Sequence, residues 1–142
     1  MAIQHRSTKL CDYLIQAIDG RFTLAGIFVN LFCTDFPLVR PIGVLVDFTG
    51  EPGDQFAITL EGPPESFVKF TLAEGTLDKP ALRHPLEQWT ASIGGTVGVR
   101  FPEEAIYKVV LSSGDTVVHE QPFATLIYKP DEFNSSEQLP DH

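Results

Sequence analysis

The chain has 142 residues, 43% of them hydrophobic, and a formal net charge of −9. That is enough for one domain with its own apolar core and too apolar for a disordered segment. The negative charge repels a phosphate backbone and an anionic lipid surface alike, so neither nucleic acid nor membrane is an expected partner.

The first predicted unit is a hairpin. Residues 10–18 and 22–33 are apolar runs flanking Asp19-Gly20, a dipeptide suited to the positive φ angles of a two-residue type I′ turn. A turn centred there places Cys11 opposite Phe28, Tyr13 opposite Gly26, Ile15 opposite Leu24 and Ala17 opposite Phe22. The other face then carries Leu10, Asp12, Leu14 and Gln16 against Thr23, Ala25, Ile27 and Val29. It is more apolar than solvent requires. Either the rest of the domain covers it, or it receives a partner or a second copy.

Phe36-Pro37-Leu38-Val39-Arg40-Pro41 holds two prolines and reads as a crossing loop. Val44 to Phe48 alternates as a strand with Val44, Val46 and Phe48 on one side. A turn at 50–54 leads to a second alternating strand carrying Phe56, Ile58 and Leu60. Gly62-Pro63-Pro64-Glu65 breaks it, and Phe67 to Leu72 is the next strand. Residues 73–88 form the longest expected loop. Trp89 to Phe101 returns to strand composition, and Gly94-Gly95 suggests a bulge or bend within it. Ala105 to Leu111 and Thr116 to Glu120 flank Ser112-Ser113-Gly114-Asp115 as a second hairpin. Pro122 interrupts it, and Phe123 to Tyr128 closes the domain. Eight or nine short strands with regular turn signals and no amphipathic helix predict an all-β fold. The expected form is an antiparallel β-sandwich of about eight strands (immunoglobulin-like or C2-like), with a closed barrel as the alternative. Residues 1–130 make this single domain, and 131–142 (DEFNSSEQLPDH from Asp131) a polar, flexible tail.

The candidates for chemistry are sparse. Cys11 and Cys33 stand in no metal-like spacing, and Cys11 within a strand behaves as a small hydrophobe. The four histidines contain no close pair, so no metal site is expected. Asp47, Glu51, Asp54 and Asp115 lie in or near turns but form no calcium-loop pattern. Gly94-Gly95-Thr96-Val97-Gly98 has no following helix to cradle a phosphate. No nucleophile elbow is present. The surface that stands out is the loop at 78–85 with its flank: Lys79, Arg83 and His84 gather in an acidic chain, with Leu82, Leu86 and Trp89 among them. Arg and Trp are common interface anchors. The simpler reading is a crossover whose Leu and Trp plug one end of the sandwich.

CDYLIQAIDGRFTLAGIF at 11–28 and YKVVLSSGDTVVHEQPF at 107–123 resemble a family of small bacterial β-sandwich domains without assigned activity. Those domains open on a "CDY" hairpin, continue through a "GIF" segment and end on a Gly-turn hairpin. The resemblance spans residues 8 to 128. It implies a small bacterial sandwich and supplies no functional residues. No run of about 20 apolar residues occurs, and the N-terminus carries no secretory apolar core, so a bacterial cytoplasm with free thiols is expected.

The sequence thus predicts a non-catalytic protein-interaction or assembly module without cofactor, able to self-associate. Its candidate surface comprises Leu14, Ile27 and Val29 on the hairpin and Lys79, Arg83, His84 and Trp89 on the loop. Two other readings are a small-ligand binder with a pocket at the Trp89 end, and a hydrolase with a loop-assembled site.

Overall fold

The computed structural model describes residues 3–66, 68–78, 82, 84–86 and 89–128. Nine strands are seen among them: β1 (Gln4–Gln16), β2 (Phe22–Ile27), β3 (Leu31–Cys33), β4 (Leu38–Thr49), β5 (Gln55–Glu61), β6 (Lys69–Thr76), β7 (Ala91–Phe101), β8 (Ala105–Ser113) and β9 (Thr116–Ile127), with a short 3₁₀ turn at Pro64–Ser66. They form two sheets packed face to face, one in the order β2-β1-β4-β7 and one in the order β3-β9-β8-β5-β6. The fold is the expected sandwich, not a closed barrel. One pairing, β3 with β9, is parallel. No described helix is long and apolar enough to cross a membrane. The expected tail, 131–142, lies outside the described residues.

Alternation builds the core. In β4, Ile42, Val44, Val46 and Phe48 turn inward and are almost fully buried. Ile58 and Leu60 of β5, Tyr107, Val109 and Leu111 of β8, and Phe123 of β9 meet them from the other sheet. Phe101 packs edge-on to Tyr107 (centroids 4.9 Å apart) and to Phe123 (6.0 Å). Each such ring withdrawn from water contributes on the order of 1.5–3 kcal/mol. Ile3 and Leu77 are buried at one end of the sandwich. There Leu77 N–H donates to Asp54 C=O at 2.8 Å, and Gly53 N–H to Leu77 C=O at 3.0 Å.

Four local expectations are corrected. The first concerns the turn of the opening hairpin, which has three loop residues. Ala17 N–H donates to Arg21 C=O at 2.8 Å and Ala17 C=O accepts Gly20 N–H at 2.9 Å, while Gly20 takes φ 91°. A turn followed by one left-handed glycine matches strand twist as a two-residue type I′ turn does. The Asp19 carboxylate binds Arg21, accepting from its backbone N–H at 3.2 Å and pairing with its guanidinium at 2.7 Å. The register therefore shifts by one residue: Cys11 faces Ile27, Tyr13 faces Ala25, Leu14 faces Leu24 and Ile15 faces Thr23. A one-residue shift exchanges the partners across the hairpin.

Second, the run 22–33 is not one strand. It leaves the first sheet after Ile27, and β3 joins the other sheet beside β9. Third, Pro41 lies inside β4, a central strand, and Pro122 lies inside β9. Both are tolerated because their neighbours on one side stop short. β1 pairs with β4 only as far as Cys11↔Gly43, and β3 pairs with β9 only at 125–127. Each proline thus sits at a locally free edge where a missing N–H costs nothing. Fourth, β7 runs through Gly94-Gly95 without a bulge, in unbroken register with β4 from Ala91↔Phe48 to Phe101↔Leu38. What Gly94 supplies is space: a Cβ there would stand 2.6 Å from Leu14 Cδ2 and 3.0 Å from Phe22 Cε1.

Candidate interaction surface

The distal half of the β1–β2 hairpin folds down onto the outer face of the first sheet. Leu14 Cβ stands 3.3 Å from where a Cβ on Gly43 would be, and Cys11 Sγ 2.7 Å from the same point. Leu14 and Phe22 cover Gly94 together with Leu45, which is why Leu45 is only 8% exposed on an outer face. This corrects the place of Leu14. It is a half-buried packing residue beside Cys11 over Gly43, and its cross-strand partner is Leu24. Cys11 is fully buried, and its thiol donates to Tyr13 C=O at 3.2 Å. Burial, and then the charge of Asp12, push that thiol up from its ordinary value, the reverse of what a nucleophile requires. Both cysteines are free.

With Leu14 turned down, Tyr13 (62% exposed), Ile15 (62%), Ile27 (61%) and, beyond the strand, Val29 (72%) are left outward. Tyr13, Ile15 and Ile27 are thus exposed side chains of one hairpin. Ile27 and Val29 also border a groove of about 140 Å³ with Thr8, Lys9, Leu10, Phe28 and Gln121. On the inner side of β1, Asp12 pairs with Arg40, whose guanidinium lies 5.9 Å over the Phe28 ring.

β2 is an edge strand, so one row of its backbone groups faces out. Proteins usually blunt such edges with charge, proline, brevity or cover. Among the described residues the other edges are blunted. β3 has three residues, β6 carries Lys69 and Glu74, and β7 carries Arg100 and lies beside β6. β2, FTLAGI, has neither charge nor proline. The strands of its sheet hold Arg6, Lys9, Arg40 and Arg100 against Asp12 and Asp47 only, in a chain whose net charge is −9.

The loop candidates separate from this surface. Trp89 is half-buried and packs against the core, as an end plug does. His84 is exposed, and its Nδ1 accepts Leu86 N–H at 3.0 Å. Lys79 and Arg83 lie outside the described residues. Trp89 precedes Ala91, which pairs with Phe48, whereas Ile27 stands level with Gly43 through Cys11. Five strand residues, about 17 Å, divide the two levels.

Ser7 Oγ donates to Asp47 Oδ2 at 2.8 Å, and His5 Nε2 bonds Thr8 Oγ1 at 2.7 Å. The Ser7 hydroxyl is thus bonded to a carboxylate and the His5 imidazole to a threonine, whereas a nucleophile needs a base on its own hydroxyl. Asp54 caps its own turn, accepting Glu51 N–H at 2.8 Å. Among the described residues no three His, Cys, Asp or Glu side chains converge to hold a metal. The sequence did not foreshadow one contact: the rings of His5 and His119 stack at 3.6 Å and 4°. They lie almost at opposite ends of the domain in sequence, so spacing carries no sign of it. Compared with protein-family models and with curated proteins, the chain matches none.

Proposed function

We propose that this protein is a non-catalytic assembly module and that its partner is a second copy of itself, joined through β2 and the apolar hairpin face. The observation that carries the reading is the unblunted edge of β2 beside exposed Tyr13, Ile15 and Ile27. Two antiparallel β2 strands related by a two-fold axis are self-complementary in their backbone donors and acceptors. The charge distribution favours the same face. An acidic surface repels a second copy over most of its area, and the β2 sheet is where cations outnumber anions.

Native mass spectrometry and sedimentation velocity from 1 to about 100 µM test this, a range in which interfaces of ordinary size associate. The wild type is expected to dimerise. Ile27→Lys, which places a charge on an exposed edge position, is expected to be monomeric with an unchanged melting temperature. A wild type that stays monomeric throughout, or a dimer that survives Ile27→Lys and Ile15→Lys, overturns the reading.

A further inference from the structure

We propose that His5 and His119 form a proton-operated clasp between the two sheets. His5 belongs to β1 and His119 to β9, so their stack, at 3.6 Å and 4°, is a direct side-chain tie across the sandwich. His119 Nε2 is buried and has no hydrogen-bond partner. With both rings neutral, the stack is a flat contact between weakly polar faces. With both rings protonated, two cations face one another at van der Waals distance on opposite sheets. The charge of Asp47 offsets a first protonation in part, but a second cation opposes the contact that joins the sheets.

The surroundings fix the direction. The charged groups near the pair are Asp47 on β4, which also accepts from Ser7 Oγ, and exposed Arg6 on β1 itself. Glu120, beside His119, is engaged with Lys108 at 2.8 Å, and from β8 the residue opposite His119 is Leu111. Burial, then the charge of His119, lower His5 from its ordinary value, and Asp47 and the Ser7 backbone only partly offset them. A histidine lowered in the folded state leaves the unfolded chain binding more protons below about pH 6.5. Its stabilising effect is therefore complete above that pH and is lost as pH falls towards the folded value. The groove along the same seam is lined by Thr8, the His5 partner, and by Gln121, two residues from His119. Opening the clasp would widen that groove next to Ile27 and Val29.

The test compares urea midpoints at pH 7.5 and 5.5 for the wild type and for His119→Phe, which keeps a ring in the stack and removes one titrating group. The expected result is a lower midpoint at pH 5.5 in the wild type and a smaller fall in the variant, which keeps the burial of His5 but loses the facing charge. Hydrogen exchange at pH 5.5 is expected to quicken first at Thr8–Leu10 and Gln121–Phe123. Equal falls in both proteins overturn the proposal. Should the variant not fold, NMR titration of the wild-type imidazoles decides. Coupled titrations with one ring below the ordinary range support the clasp, and two independent titrations at ordinary values refute it.

Discussion

Gly43 and Cys11 fit each other closely, and their coupling is measurable. In Gly43→Ala the new methyl stands 2.7 Å from Cys11 Sγ, 3.3 Å from Leu14 Cβ and 3.4 Å from Cys11 O. Comfortable contacts lie at about 3.5–4 Å, so the overlap with sulfur approaches an ångström. Cys11 has no room to yield: it is fully buried, and its thiol is held on Tyr13 C=O. Overpacking of this kind costs about 1–3 kcal/mol, offset by about 0.5–1 kcal/mol from removing a glycine from a strand. The expected net loss is about 1–2 kcal/mol, or roughly 2–8 °C in melting temperature. Cys11→Ala alone should cost about 1 kcal/mol for one small buried group. In the double variant the methyl occupies the space the sulfur leaves, and the loss should shrink to about 0.5 kcal/mol or less. Urea unfolding of the four proteins, with midpoints compared at constant slope, closes the cycle. A coupling near 2 kcal/mol is expected, and losses that add to within about 0.5 kcal/mol would refute the fit.

Tyr107 is fully buried, and its hydroxyl has only the Thr125 hydroxyl beside it, short of good hydrogen-bond geometry. Burial and then Glu103 push its phenol up, and the neighbouring Thr125 hydroxyl, which eases that shift, donates to Glu103 C=O at 3.0 Å. Tyr107→Phe should therefore leave stability unchanged or raise it by up to about 1 kcal/mol, and a clear loss in urea would show that the hydroxyl is satisfied. Asp12→Asn removes the charge opposite Arg40. Both side chains remain partly exposed, so the expected loss is about 1 kcal/mol or less. It should fade in 1 M NaCl, where screening acts within a few ångströms, and a loss that salt leaves intact counts against the ion pair as its cause.

Much of the architecture was legible in the sequence because it rests on local rules. Alternation at Val44, Val46 and Phe48 and at Phe56, Ile58 and Leu60 assigned strands and their buried sides correctly, since a strand's period of two is set by the backbone alone. Turn residues at 50–54 and 112–115 marked the reversals. The misreadings have two causes. Whether Pro41 fits in a central strand and whether Gly94 is a bend or a seat for Leu14 depend on how far a neighbouring strand extends, and the length of the Asp19-Gly20 loop on bonds that several turn geometries could make. The first is a tertiary quantity. The candidate surface shows the same division. The predicted hairpin register named Ile27 and Val29, but, being one residue off, it set Leu14 beside them and Tyr13 and Ile15 on the other face. The His5–His119 stack was beyond any local pattern, because it exists only once two sheets built from distant segments are packed together. The sequence by itself determined which segments extend and which faces they bury. The packing of the sheets decided which apolar residues remain outside, because exposure depends on what neighbours cover and not on the strand that carries them.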